Sequence, residues 1–323
     1  MEISYIFFNL FLILFVFFLN KPLSNLINIS DIPNKRKSHK KPIPLIGGII
    51  IFIIILINFL FFKKINDKIF YLSTAFFIIG LIDDKFSLSA KIRLFFLSIF
   101  SYFYLSNFTI LNIAFLNFED YGKIYLFLQA SIFFTILCLL LFQNSMNMID
   151  GINGLSGGIF TILFLFIFFK SNYEIIYLII VFTLILFLIF NFKNKFFMGD
   201  SGIYFLSIFF GLLIIDMSNK NLIYSEEIFL LMSIPGIDML RLFVIRIINK
   251  KNPFKADRFH IHHLLIKKTK SEFITLLIIL TIISIPILLN VFFDLKLIYL
   301  ILLSLILYFV TIIKVKGLSP INK

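Results

Sequence analysis

Four short polar segments interrupt this otherwise apolar chain, and their side chains are of kinds that bind phosphate or a metal ion. The longest runs from Asn144 to Gly154 and combines three asparagines and an aspartate with two glycines but no lysine or arginine. The others are Asp83-Asp84, Met198-Gly199-Asp200 and His260-Ile261-His262-His263. Such groups are costly beside a bilayer, so their presence indicates a chemical role.

In the longest segment, Asn144, Asn147 and Asp150 recur every three residues and would share one face of a helix. Asn153 would point away from that face unless the helix ended near Gly151. The alternative is a polar re-entrant turn in which the asparagines cap backbone groups, and the segment alone does not separate the two.

The oxygen-bearing side chains favour a hard cation, because no thiolate lies among them. The candidate ligands for Mg²⁺, with Mn²⁺ as an alternative ion, are Asn147, Asp150 and Asp200. Asp200 precedes Ser201 and Gly202 at the start of an apolar stretch, where a helix N-cap is an alternative role compatible with metal binding.

Asp83 and Asp84 close an apolar segment, and Lys91 and Arg93 follow shortly after. Adjacent carboxylates at the C-terminus of a helix oppose the helix dipole, so their position indicates a functional demand. The two cations could hold a diphosphate, Arg93 as a planar fork and Lys91 as a point charge.

The histidines His260, His262 and His263 follow a basic stretch. Such clustering can indicate zinc, but the chain has a single cysteine, Cys138, and the neighbouring cations would oppose a metal ion. Imidazoles that face phosphate oxygens fit this basic setting better.

The composition predicts an integral membrane protein with one domain over residues 1–323. Hydrophobic residues make up 60% of the chain, above the roughly half that is typical of soluble domains, and the mean hydropathy is +1.04. The first apolar stretch lacks a preceding basic region and a small-residue cleavage site, so we expect a retained span rather than a signal peptide. We expect a lipid bilayer, and no nucleic acid, as its partner.

Eleven apolar segments are candidate α-helical spans, so the predicted fold is an all-α polytopic membrane protein. They are residues 3–20, 43–62, 68–82, 92–106, 124–142, 155–169, 174–191, 202–216, 226–245, 272–291 and 296–313. Four of these are short, and we expect their helices to stop early so that the ends line a cavity: 68–82, 92–106, 155–169 and 202–216.

Positive charge predicts the orientation of these spans. With the N-terminus outside and the C-terminus cytoplasmic, the inner connections carry 22 of the 30 Lys and Arg residues. The same orientation puts all four polar segments on the cytoplasmic side, which predicts a single cytoplasmic site.

Together these features suit phosphoryl transfer at a membrane surface, which needs positioning, Mg²⁺ and cations more than covalent work by the protein. A transporter or lipid flippase fits less well, because its ionisable residues would lie near the middle of the membrane rather than at the ends of spans. A purely structural membrane protein would not need four polar segments on one side.

The chain also resembles a known family, the polyprenyl-phosphate N-acetylhexosamine-1-phosphate transferases, and within it the branch that uses N-acetylglucosamine 1-phosphate. The resemblance runs in order from about residue 31 to 265, and the ordered set of motifs is far more specific than any one of them. The motifs are Asp31-Ile-Pro-Asn34-Lys-Arg-Lys-Ser-His39, Pro44-Leu-Ile-Gly47-Gly48, Asp83-Asp84, Asn144 to Leu155, Phe197-Met-Gly-Asp200 and Pro253-Phe-Lys-Ala-Asp257-Arg258-Phe-His260-Ile-His262-His263-Leu264.

The resemblance implies an eleven-helix enzyme of the bacterial inner membrane with a cytoplasmic site. It implies transfer of N-acetylhexosamine 1-phosphate, first of all N-acetylglucosamine 1-phosphate, from a UDP-sugar to undecaprenyl phosphate. UMP would be released, and the product would start a lipid-linked cell-envelope glycan such as the O-antigen.

The resemblance also implies roles for the residues of the polar segments. Asn147 and Asp200 would hold Mg²⁺, and Arg93 with the three histidines would contact the diphosphate. Asp83 or Asp84 would handle the lipid phosphate. Members of the family are often credited with an Asp that deprotonates the acceptor. A phosphate monoester is already largely dianionic at about pH 7, so we expect Asp83 to position the metal shell or a cation instead.

Three residues of the longest segment complete the predicted site. Asp150 belongs to the catalytic group, and Asn144 and Asn153 to substrate binding. Asn153 stands where many relatives have Asp, at a position near the uracil, so a role that depends on charge is excluded there.

The nearest alternative is the related transferase that moves phospho-N-acetylmuramoyl-pentapeptide. The His-x-His-His sequence after a basic Pro-Phe segment favours the N-acetylglucosamine branch. The exact sugar, the downstream pathway and the oligomeric state, with a homodimer as one alternative, are not determined by the sequence.

Overall fold

The computed structural model describes residues 2–33, 41–250, 252, 259–293 and 295–316. Two parts of the motifs that carry the resemblance, residues 34–39 and 253–258, therefore lie outside the described residues.

The described residues form thirteen α-helices, one short 3-10 helix and two small antiparallel sheets. The helices are α1 (Glu2–Phe18), α2 (Asn20–Ile27), α3 (Gly47–Phe62), α4 (Asp67–Phe86), α5 (Ala90–Asn107), α6 (Leu128–Ile149), α7 (Leu155–Lys170), α8 (Ile175–Phe192), α9 (Gly199–Asn219), α10 (Ser225–Ile248), α11 (Ile261–Thr269), α12 (Glu272–Phe292) and α13 (Leu297–Lys316). The paired strands are β1 (Ser30–Asp31) with β2 (Ile43–Pro44) and β3 (Phe115–Phe118) with β4 (Gly122–Tyr125).

Each of the eleven predicted segments coincides with a helix, and α2 and α11 are short additional helices. Within the described residues, six helices are long and apolar enough to cross a membrane: α6, α8, α9, α10, α12 and α13. The bent pair of α1 and α2 makes a seventh if it is counted as one span. The protein is therefore an all-α, multi-pass membrane protein.

Helices α4 and α9 do not stop early as expected, although their ends do line a cavity, as was also expected. Helix α4 continues through Asp83 and Asp84 to Phe86, and α9 begins at Gly199, so that Asp200 lies in its first turn. Both helices extend because polar groups at their ends find partners on other elements, as described below. Helix α7, with 16 residues, is as short as predicted.

Helix α9 is at the centre of the bundle, where it packs against α3, α4, α6 and α7. Within its apolar span, 94% of the residues are buried inside the protein, against 28% for α13. The surroundings of α9 are thus other helices, whereas α13 has most of its surface on the outside of the bundle.

Glycines bring α3 and α4 into backbone contact with α9. A Cβ atom built on Gly80 of α4 would lie 2.5 Å from Cα of Ser201, and one on Gly48 of α3 would overlap Cα of Gly202. Small residues permit such close approach between membrane helices. The contact sets the end of α4 directly beside the start of α9.

The segment before α3 is tied to the segment before α9. The backbone N–H groups of Gly47 and Gly48 donate to the carbonyls of Phe197 and Met198, and the N–H of Phe197 donates to the carbonyl of Pro44. Because Pro44 belongs to β2, which pairs with β1, this arrangement also fixes the strand that ends at Asp31.

The glycine contact gives a stability prediction with an internal control. Gly80→Ala should lower the free energy of unfolding by about 1–3 kcal/mol, because the new methyl group meets backbone of α9 that cannot rotate away. Gly236→Ala, inside α10, meets no atom within 4 Å and should stabilise by about 0.5–1 kcal/mol. Thermal unfolding of both variants in the same detergent measures these changes in stability. Stability changes of the same sign in the two variants would contradict the close contact at Gly80.

Candidate active site

A cavity of about 970 Å³ is lined by residues from α4, α6, α9 and α11. Its size is within the range of sites for small-molecule ligands. The carboxylates at its wall are Asp31, Asp84, Asp150, Asp200 and Glu272. The amides at its wall are Asn147, Asn153 and Asn191. All four polar segments of the sequence thus contribute at least one residue to one cavity.

Asp84 caps the start of α9 from the neighbouring helix. Its Oδ1 atom accepts a hydrogen bond from the backbone N–H of Asp200 at 2.7 Å, and Oδ2 accepts one from the N–H of Ser201 at 3.1 Å. The residue at the N-cap position, Met198, forms no side-chain cap. The alternative role of Asp200 as the N-cap is therefore wrong, because Asp84 satisfies these donors instead.

Gly199 is required at this junction. Its φ is +77°, in the left-handed region, and a Cβ atom there would lie 2.7 Å from a carboxylate oxygen of Asp84. A side chain would be strained and would push Asp84 away from the helix start.

Asp83 has a different environment from that of its neighbour. It is 3% exposed, and its Oδ1 atom accepts from the backbone N–H of Leu88 at 2.7 Å. Its Oδ2 atom accepts from Arg93 at 2.9 Å and from the hydroxyl of Tyr204 at 2.7 Å. Neither Asp83 nor Arg93 is among the described residues that line the cavity.

Helix α6 ends at Ile149, and the Asp150 that follows is its C-cap. From the sequence, we expected Asn153 to reach the same site only if this helix ended near Gly151. The helix does end there, and Asn153 lines the cavity together with Asn147 and Asp150. Asn144, one turn earlier, is not among the described lining residues.

Asp150 is exposed to the cavity, and its Oδ1 atom accepts a hydrogen bond from the hydroxyl of Ser156 at 2.6 Å. Removal from bulk water by the surrounding walls raises the pKa of its carboxyl to about 6, although the hydrogen bond from Ser156 opposes the rise.

Asparagines hold the loop between α6 and α7. Asn191 accepts from the backbone N–H of Gly154 at 2.7 Å and donates to the carbonyl of Phe196 at 3.2 Å. The amide nitrogen of Asn153 donates to the side chain of Asn194 at 2.8 Å. These bonds set the direction in which Asn153 faces the cavity.

The three histidines occupy three different environments. His263 lines the cavity, whereas His260 is buried and hydrogen-bonded to Asp238 of α10. His262 is 1% exposed and lies against the backbone of Gly151. Burial, and then the neighbouring imidazoles, lower the pKa of His262 to about 3, so this ring is neutral at neutral pH.

Several residues of the site were missed by sequence reasoning. Ser156 and Asn191 hold the loop, and Lys267 and Glu272 line the cavity. Lys267 is the only lysine or arginine among the described lining residues, and its spacing of four from His263 on a helix could have revealed it. Tyr204 lies inside an apolar run with no local signal.

The donor atoms at the cavity fit a hard cation. Asp84, Asp150, Asp200 and the amide of Asn147 all line the cavity, so several carboxylates share it and repel one another when ionised. A divalent ion would relieve this repulsion. Among the described residues, no group of three or more His, Cys, Asp or Glu side chains is placed to hold a metal ion. Mg²⁺ can be held by one or two protein oxygens, with phosphates and water completing its shell.

Comparison with known proteins identifies the family. The model of glycosyl transferase family 4 matches residues 67–218. The chain is 30% identical over 288 residues to an undecaprenyl-phosphate alpha-N-acetylglucosaminyl 1-phosphate transferase of Yersinia pestis, an alignment that covers 82% of this chain and 76% of the relative. The chain belongs to glycosyl transferase family 4.

Two further relatives carry the same name. The chain is 29% identical over 259 residues to that of Thermotoga maritima, with 78% of this chain and 77% of the relative covered. It is 28% identical over 287 residues to that of Escherichia coli K12, with 80% and 74% covered. The resemblance read from the motifs is thereby confirmed. The family 4 match runs from the first residue of α4 nearly to the end of α9 and includes the capped start of α9.

The cap across the two helices can be tested by Asp84→Asn. An amide offers one acceptor instead of two and carries no charge, so the variant should lose about 1–2 kcal/mol of stability in thermal unfolding. Asp67→Asn removes the same charge from the exposed other end of α4 and should change stability by less than about 0.5 kcal/mol. Equal losses in the two variants would show that the cap is not what stabilises this end.

Proposed function

We propose that this chain transfers N-acetylglucosamine 1-phosphate from its UDP-sugar to undecaprenyl phosphate. An oxygen of the acceptor phosphate attacks the phosphorus that bears the sugar, the bond from that phosphorus to the oxygen of UMP breaks, and UMP leaves. The product is a lipid-linked pyrophosphoryl sugar that starts a cell-envelope glycan.

The observation that carries the proposal is the cavity at which the four polar segments meet, in a chain that aligns with transferases of that name over most of its length. The name of these relatives supports N-acetylglucosamine over phospho-N-acetylmuramoyl-pentapeptide. The positions of the lining carboxylates and amides support phosphoryl transfer over transport.

Asn147 and Asp200 would hold Mg²⁺, or Mn²⁺, in this cavity. When bound, the ion would neutralise charge on the transferring phosphoryl group and on departing UMP. The protein residues contribute positioning: Asp84 fixes the first turn of α9 that carries Asp200, and Ser156 orients Asp150. His263 and Lys267, which line the same cavity, offer hydrogen bonds and positive charge.

We further propose that the eleven helices that match the predicted segments all cross the bacterial inner membrane, with the N-terminus outside and the cavity cytoplasmic. The excess of Lys and Arg on one side supports this orientation. A homodimer is compatible with the proposal, which does not depend on the oligomeric state.

The activity test is release of UMP by the purified protein with undecaprenyl phosphate, Mg²⁺ and a panel of UDP-sugars. UDP-N-acetylglucosamine should be the best donor. Asp200→Asn should lower turnover by about 100-fold or more, since a metal ligand stabilises charge in the transition state by several kcal/mol.

The matched control for that variant is Asp216→Asn, at the far end of α9, where the carboxylate pairs with Lys220 at 2.7 Å. It should keep wild-type turnover. Absence of UMP release with every donor would reject the proposed reaction. Normal turnover of Asp200→Asn would reject only the assignment of Asp200 as a metal ligand.

Orientation is tested by thiol labelling in a Cys138→Ser background. Asn252→Cys, between α10 and α11, should be shielded in intact cells from a reagent that cannot cross the membrane, because that connection is cytoplasmic. Tyr121→Cys, between β3 and β4, should react. The reverse pattern would reject the cytoplasmic site.

A further inference from the structure

Helix α10 contains a buried carboxylate that the reaction above does not use. Asp238 is 1% exposed, and its Oδ1 atom accepts hydrogen bonds from the hydroxyl of Tyr308 at 2.9 Å and from Arg241 at 2.8 Å. Its Oδ2 atom lies 2.8 Å from Nδ1 of His260. An ionisable group inside an apolar span is costly, so its retention calls for a functional reason and a named partner.

The contacts of Asp238 and Arg241 fix the backbone on both sides of His260. Asp238 accepts from the backbone N–H of Ile261 at 3.2 Å, while Arg241 donates to the carbonyl of Phe259 at 2.7 Å. The same Arg241 donates through Nε to the hydroxyl of Tyr308 at 2.7 Å. The segment that enters α11 is therefore held to α10 and α13 by side chain and main chain together.

From His260 a row of imidazoles leads to the cavity. The rings of His260 and His262 are nearly parallel with centroids 5.7 Å apart, and those of His262 and His263 are 4.1 Å apart. Neither ring nitrogen of His262 has a hydrogen-bond partner among the described residues. The position of His262 is set by packing between the two other rings and against Gly151. His260, by contrast, is held by its hydrogen bond to Asp238.

We propose that Asp238 is a positioning residue for the donor side of the cavity. Acting through His260 and the N–H of Ile261, it sets the start of α11, and with it the direction in which His263 and Lys267 face the substrate. It touches no substrate itself. The inference rests on the proposed function, because it assigns the α11 wall to the UDP-sugar.

The test compares Asp238→Asn with Glu227→Gln. Glu227 is an equally buried carboxylate of the same helix, 2% exposed and paired with Lys170 at 2.7 Å and Asn290 at 2.8 Å, but it is not among the lining residues. Both variants lose a buried charge pair and should lose thermal stability. Only Asp238→Asn should lower kcat/KM for the UDP-sugar, by about 10- to 100-fold and mainly through KM, with the KM for undecaprenyl phosphate within about twofold.

A double-mutant cycle separates positioning from general destabilisation. If Asp238 acts through His260, the double variant Asp238→Asn/His260→Gln should have a kcat/KM for the UDP-sugar close to that of the more impaired single variant. In the double variant Glu227→Gln/His260→Gln, the fold-changes in kcat/KM of the two single variants should multiply, because these sites are independent. Multiplying effects in the first pair would overturn the assignment of His260 as the route.

Tyr308→Phe is a milder variant in case Asp238→Asn does not fold. It removes one of the hydrogen bonds to Asp238 with little change of volume, and should raise the donor KM about threefold to tenfold. Amide hydrogen exchange over residues 259–267 is a readout that needs no activity. It should accelerate in Tyr308→Phe and Asp238→Asn but not in Glu227→Gln.

The outcomes distinguish the two proposals. A wild-type protein that releases no UMP with any donor rejects the proposed function, and the exchange measurement then still tests whether Asp238 holds α11. An active wild-type protein in which Asp238→Asn and Glu227→Gln give the same donor KM and the same exchange overturns the inference alone.

Discussion

The contact between Asp84 and the start of α9 is the interaction on which the site and the bundle both depend. Helix α9 is surrounded by protein over most of its length, and a buried N–H donor without a partner at its start would be costly. Asp84 satisfies two of them and, in doing so, fixes the turn that carries Asp200. The cap exists only because Gly80 and Gly199 let α4 approach this closely.

Polar residues that are adjacent in the sequence divide between holding the framework and facing the cavity. Asp84 lines the cavity, while Asp83 binds Arg93 and Tyr204 behind it. Likewise, His263 lines the cavity and His260 is held by α10. Successive residues of a helix point about 100° apart, so one short motif at a helix end can supply both functions. The apparent conflict of two acids with the dipole of α4 is resolved because one caps another helix and the other is neutralised.

Within the helices, buried polar groups are used to join particular pairs. Glu227 connects α10 to Lys170 of α7 and Asn290 of α12, at the opposite end of α10 from the histidine segment. Asn58 of α3 accepts from Tyr5 of α1 and donates to Asn9. In hydrocarbon the hydrophobic effect does not distinguish one apolar helix face from another, so hydrogen bonds and close packing decide which helices meet.

The amino-acid sequence alone predicts the positions of the helices and six of the residues that line the cavity. Span composition is a local property, so eleven apolar segments could be located, and the spacing of motifs pointed to Asp84, Asn147, Asp150 and Asp200. Which member of each polar pair faces the cavity, and where α4 and α9 end, could not be predicted locally, because caps and ion pairs join residues far apart in the chain. The partners Asp83 and Tyr204 are separated by 121 positions, and Asp238 and Tyr308 by 70. No local pattern marks Tyr204, Asp238 or Tyr308, since each lies in an apolar helix and acquires its role only through the helix packed against it.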